Sequence, residues 1–174
     1  MIKALFSSLK PAANATHSAK GGAHVVRAGE DRTDSQIMLF GACPNAVKVS
    51  AKDTGGAMSI FEYEGNIKGG PPLHVHHDQD EVYFVRDGRY IFEAGGVRHD
   101  LGAGDTVFLP RGVPHTFAQC SETGRLVFMF TPAGSMEAYF EALGALKGPP
   151  EPKAEAALFS AHGMTLLGPP LQAL

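Results

Sequence analysis

About nine short strand-like runs follow one another through the middle of this sequence, each closed by turn residues after four to six positions. They are Ile37 to Phe40, Ala46 to Ala51, Met58 to Tyr63, Leu73 to His76, Glu81 to Arg86, Tyr90 to Ala94, Asp105 to Leu109, Thr116 to Cys120 and Leu126 to Phe130. Between them stand DG, GG and GAGD, sequences that turn a chain tightly. A parallel sheet needs a crossover of a dozen or more residues between strands, and the spacing leaves no room for one. The chain is therefore expected to be all-β, a sandwich or a barrel. Its 21 Gly and 12 Pro among 174 residues provide the corners that such a fold requires.

The flanks read differently. Residues 1–32 are rich in Ala, Ser, Gly and Lys without sustained periodicity, apart from one possible short strand at His24 to Arg27. They are expected to form an N-terminal arm, with the barrel at 33–133. Beyond Pro132, Met136, Tyr139, Phe140 and Leu143 recur at helical spacing behind Ser135, a suitable N-cap. Gly148-Pro149-Pro150 ends that helix, and Lys153 to Ala161 suits a second one stopped by Gly163. Residues 134–174 are thus expected to be a helical tail packed on the barrel. At this length one domain can bury its own core.

A formal charge of -3 with both signs scattered offers no basic stripe for a run of phosphates, which argues against nucleic acid as a partner. No apolar stretch approaches the length that spans a bilayer, so no membrane association is expected. The start, MIKALFSSLKPAANA, is basic and contains Ala-Asn-Ala, but its apolar run is short and broken by serine, unlike a signal peptide. The expected location is cytoplasmic. Cys43 and Cys120 stand far apart, in no CxxC pattern, so neither a zinc knuckle nor a dithiol site is indicated.

The segment GGPPLHVHHDQDEVYFVRDG carries the chemistry. Residues two apart on a strand project to one side, so His74 and His76 present two imidazoles together while Val75 turns away. His77 has the opposite parity and is expected at the rim. Glu81 opens the next strand and can close on the same ion. A second segment, GDTVFLPRGVPHTF, places His115 at a strand start behind a Gly-Val-Pro turn. Imidazoles with a carboxylate suit Fe, Mn, Ni, Cu or Zn rather than Ca or Mg. One divalent transition-metal ion held by His74, His76, Glu81 and His115 is the expected cofactor. His17, His24, His99 and His162 are lone histidines and are read as surface or hydrogen-bonded residues.

These two segments resemble the two cupin motifs. His74, His76, Glu81 and Gly88 have the spacing of the first, and Gly104, Pro110, Gly112 and His115 that of the second. The match covers Gly70 to Gln119 directly. The resemblance implies a double-stranded β-helix, the jelly-roll cupin barrel, with one or two C-terminal helices, and commonly a homodimer. The second motif usually ends in Asn where this chain has Gln119; that Asn is not a ligand, so the difference bears on the pocket's shape. The tail, SMEAYFEALGAL with LFSAHGMTLLGPPL, looks like the ending of small bacterial cupins similar to quercetin dioxygenases.

Tyr83 and Phe117 share the parity of Glu81 and His115, and with Gln119 they are the expected substrate-pocket residues. Phe128 and Phe130 are read as core, and Met136, Tyr139 and Phe140 as a helix's packing stripe. Four protein ligands on a six-coordinate ion leave positions open, which permits dioxygenase chemistry on a small enolisable or aromatic, flavonol-like substrate. In that reading Glu81 also acts as the catalytic base if burial raises its carboxyl. The rival is a non-catalytic metal- and small-ligand-binding module. A sugar isomerase ranks third: it needs cations for phosphate, and Arg86, Arg89, Arg98 and Arg111 sit at turns or outward positions.

Overall fold

A computed structural model describes residues 22–172, except 34, 36, 147 and 149. Among the described residues the strands in chain order are β1 (Met38–Leu39), β2 (Cys43–Val49), β3 (Ser59–Gly65), β4 (Pro72–His76), β5 (Asp80–Asp87), β6 (Arg89–Ala94), β7 (Val97–Gly102), β8 (Thr106–Leu109), β9 (His115–Gln119) and β10 (Gly124–Thr131). Two helices, α1 (Met136–Gly144) and α2 (Pro152–Ala161), precede a last strand, β11 (Met164–Pro170). One sheet has the order β1-β2-β3-β10-β5-β8 and the other β11-β4-β9-β6-β7, all pairs antiparallel. The chain alternates between the two sheets, as a jelly roll does.

Strand alternation explains where the core lies. Leu126, Phe128 and Phe130 of β10 are buried, while the residues between them are exposed or half-buried. Their rings meet those of Phe61 and Tyr83, with Phe61 and Phe128 stacked at 5.3 Å and Tyr83 and Phe128 at 5.1 Å. Tyr90 and Phe92 close the core from β6. The corner from β5 to β6 turns on Gly88, whose φ of 88° suits glycine and where a Cβ would crowd Gly124 and Ser121.

Three expectations change. Val97 to Gly102 falls between the strands that the sequence predicts, yet it forms β7, an almost wholly exposed edge strand joined to β6 through Gly95-Gly96. The tail is not helical alone, because Met164–Pro170 pair with β4 and so extend the barrel beyond residue 133. His24 to Arg27 form no strand. The described end of the arm is nevertheless attached: Lys48 Nζ donates to the Arg27 and Glu30 carbonyls, and Arg32 pairs with Asp53. Residues 1–21 of the arm, with His17, lie outside the described residues. Both helices occur where periodicity places them, α1 behind Ser135, although the Ser135 hydroxyl makes no cap hydrogen bond.

Candidate metal centre

Each expected ligand stands on a strand, His76, Glu81 and His115 at or beside a strand end and His74 in the middle of β4. His74 and His76 stand on β4 of the five-stranded sheet and Glu81 near the start of β5 in the opposite sheet, so a three-residue turn carries the chain across the barrel. His115 begins β9 directly opposite His74 in register. The turn before it is tied to the site, since Gly112 N donates to the His76 carbonyl at 2.8 Å. The outer flank of β4 is covered by β11, where Met164 pairs with His76 and Leu166 with His74. One donor atom from each of His74, His76, Glu81 and His115 lies within 4.8 Å of the others.

The four groups are between 1% and 6% exposed, a cost that buried ionisable groups recover only by pairing or by binding a metal. Two nitrogens are already assigned. His74 Nδ1 stands 2.8 Å from the Pro72 carbonyl and His115 Nδ1 2.9 Å from that of Val113. A carbonyl only accepts, so each Nδ1 carries the proton and each Nε2 is left with its lone pair. His115 Nε2 then faces Glu81 Oε2 at 3.1 Å, and neither atom has an aligned hydrogen bond. Two buried lone-pair atoms at that distance require positive charge between them, a proton or a cation. The donor set fits a borderline divalent transition ion.

The charges follow from this packing. Burial drives the His74 imidazole down to about 3, helped by the neighbouring His115 and His76, so it is neutral at physiological pH. Burial likewise lowers His76 against the pull of Glu81. Burial alone would lower His115 too, but the Glu81 carboxylate beside it leaves that imidazole raised. Burial would raise Glu81, as expected from sequence, yet the three imidazoles outweigh it and hold the carboxyl below its ordinary value. Glu81 is therefore ionised.

An apolar cavity of about 250 Å³ opens from His74, His76 and Glu81. Tyr83 and Phe117 line it, and so do Phe128, Phe130, Tyr139 and Phe140, which sequence alone assigned to packing. Gln119 lies outside that lining. It is fully buried, donating to the Gly65 and Ser121 carbonyls at 3.2 and 3.1 Å and accepting from the Tyr90 hydroxyl at 3.3 Å, so its role is to tie strands together. His77 is exposed and pairs with Thr165 Oγ1 at 2.8 Å. Arg86, Arg89, Arg98 and Arg111 all face outward, the last three in ion pairs with Asp100, Glu93 and Asp80.

Asp80, the first residue of β5, carries no signal in strand parity or motif spacing that would single it out. It accepts from the Arg111 backbone N–H at 2.9 Å and from the guanidinium at 3.0 and 2.9 Å, which clamps the loop leading to His115 onto the strand carrying Glu81. Those hydrogen bonds hold its carboxyl down to about 2. A carboxyl whose folded value is depressed stabilises the fold above its unfolded value, near 4, and that contribution is lost as the pH falls towards 2. Asp80→Asn is accordingly expected to melt below wild type at neutral pH, with the gap closing between about pH 4 and pH 2. Paired thermal melts across that range measure it; a gap independent of pH would assign the effect to shape rather than charge.

Comparison with known proteins agrees with this geometry. A family model described as "Cupin domain" matches residues 62–132. A quercetin 2,3-dioxygenase of Bacillus subtilis is 31% identical over 121 residues, which are 70% of this chain and 34% of that protein. A protein of Streptomyces coelicolor, "Uncharacterized protein SCO3923", is 41% identical over 59 residues, 34% of this chain and 56% of the other. The chain thus spans between a third and just over half of these relatives' lengths. Among solved structures, KdgF from Halomonas sp. superposes with a TM-score of 0.53 at 15% identity, covering 64% of this chain and 94% of that one, a likeness of fold alone. With both motifs converging on one buried donor cluster inside a jelly roll, the chain belongs to the cupin superfamily.

Proposed function

We propose that this protein is a metal-dependent dioxygenase acting on a small enolisable, aromatic substrate of flavonol type. The observation that carries the reading is the opening of a three-histidine, one-carboxylate cluster directly into an apolar, aromatic-lined cavity. The likeness to a quercetin 2,3-dioxygenase supports it. His74, His76, His115 and Glu81 would hold the ion, one of Fe, Mn, Ni, Cu or Zn. When bound, a redox-active member of that series supplies Lewis acidity and couples electron transfer between an enolate oxygen and dioxygen.

The protein's own groups do the rest. Glu81, ionised at neutral pH, accepts the proton of the substrate's enol hydroxyl at its carboxylate oxygen. Tyr83, on the same face of β5, keeps its phenol proton because burial and the adjacent Glu81 charge push its pKa well up. The rings of Tyr83, Phe117 and Phe128 offer faces and edges for stacking and keep water from the reacting end. The lining described contains neither lysine nor arginine, so a sugar phosphate would find no cation to hold it.

Anaerobic loading with each metal in turn, followed by oxygen-electrode measurement with flavonols, tests the proposal. At least one metal is expected to give oxygen uptake matched to flavonol loss. Flavonol binding without uptake for any metal would favour the binding module, and no binding at all would remove this substrate class.

A further inference from the structure

We infer that Asn45 is a specificity-determining residue, which reads a hydroxyl at the far end of an elongated aromatic ligand whose near end sits at the metal cluster. Asn45 points inward from β2 with the parity of Cys43 and Val47, is 0% exposed, and borders the cavity. Among the described residues neither its Oδ1 nor its Nδ2 has a hydrogen-bond partner. An amide so buried is costly unless something completes it; of the neighbours it shares the cavity with, Leu39, Leu126 and Phe128 have no polar group to offer, and Tyr63, level with it on β3, makes no hydrogen bond to it. One carbonyl acceptor beside one NH₂ donor matches a hydroxyl, which donates to Oδ1 and accepts from Nδ2.

The position sets the ligand's length. In register, Asn45 lies level with Tyr63, Leu126 and Val85, whereas Glu81 lies level with Phe130 and Ser59. The two levels are four residues apart along the strands, about 13 Å at some 3.3 Å per residue. Between these polar ends the cavity wall is aromatic and aliphatic. A flat, apolar scaffold with a metal-binding enol at one end and a single hydroxyl at the other satisfies both ends. This inference rests on the substrate class proposed above and adds to it the residue that selects within the class.

The test compares unsubstituted flavonol with its analogue carrying one para-hydroxyl on the pendant phenyl ring. Both are titrated into zinc-loaded protein, where the redox-silent ion prevents turnover, and binding is read from the ligands' own absorbance and fluorescence. Wild type is expected to prefer the hydroxylated analogue by about ten-fold, the worth of one well-formed buried hydrogen-bond set. Asn45→Leu, close in shape but apolar, should abolish that preference while holding unsubstituted flavonol as tightly or more so. Asn45→Ala provides the same comparison should the leucine variant fold poorly. An equal preference in wild type and variants, or none in wild type, overturns the Asn45 assignment alone. Failure of both flavonols to bind wild type removes the substrate class and this inference together.

Discussion

Replacing His76 with alanine should cost the protein its metal, with affinity falling by more than about 100-fold, the upper range for losing even an outer-shell partner. His76 is one of two imidazoles that β4 turns to the same side, and it stands 3.8 Å from Glu81 Oε2. Removing it leaves His74 and Glu81 buried with the charge problem unsolved and one donor fewer. Elemental analysis after metal loading and desalting should give about one ion per wild-type chain and almost none for His76→Ala. Because metal binds only the folded chain, a ligand at a thousand times its Kd stabilises by about 4 kcal/mol. Chelator should therefore lower the melting temperature of wild type and leave that of the variant unchanged. Full retention of metal by the variant would refute the ligand assignment.

Phe130→Ala is expected to destabilise the fold by about 3 kcal/mol, the low end for deleting a buried phenylalanine. Phe130 is 1% exposed and packs against Phe61, Phe128, Phe140 and the His76 ring, at centroid distances of 6.0, 5.8, 6.2 and 5.3 Å. It faces Ser59 on one side and Glu81 on the other in register, so it supports the metal cluster from beneath. The low end applies because one side of the ring already borders the cavity, and fewer packing contacts are lost there. Against a usual total of 5 to 15 kcal/mol the loss is large. Urea titrations of both proteins measure it, and a loss below about 1 kcal/mol would mean that the barrel collapses to fill the space.

What could be read along the chain was whatever depends on neighbours. The parity of His74 and His76 follows from the two-residue period of a strand, and the polar run His77 to Asp80 before Glu81 and the Gly-Val-Pro approach to His115 are legible as turns. Two features did not yield to that logic. Val97 to Gly102 has almost no buried face, and its strand exists because β6 offers it a ladder of partners. Met164 to Pro170, with Gly168, Pro169 and Pro170, reads as a chain end, yet it lies along β4 behind two ligands.

Polar side chains divide in the same way. Asn45 and Gln79 look alike in sequence to exposed strand and turn residues, but both, like Gln119 on the face of His115 and Phe117, are 4% exposed or less. Only the packing of distant strands tells them apart: Gln119 finds the Gly65 and Ser121 carbonyls, whereas Asn45 faces the cavity without a partner. The sequence by itself determined the ligand types, their parity and the strand-and-turn rhythm, because each is a property of residues a few positions apart. Tertiary structure alone decided that the four ligands meet, that a cavity opens beside them and that Asn45 lies at its far end. Each of these depends on pairings between strands tens of residues apart, which no local period encodes.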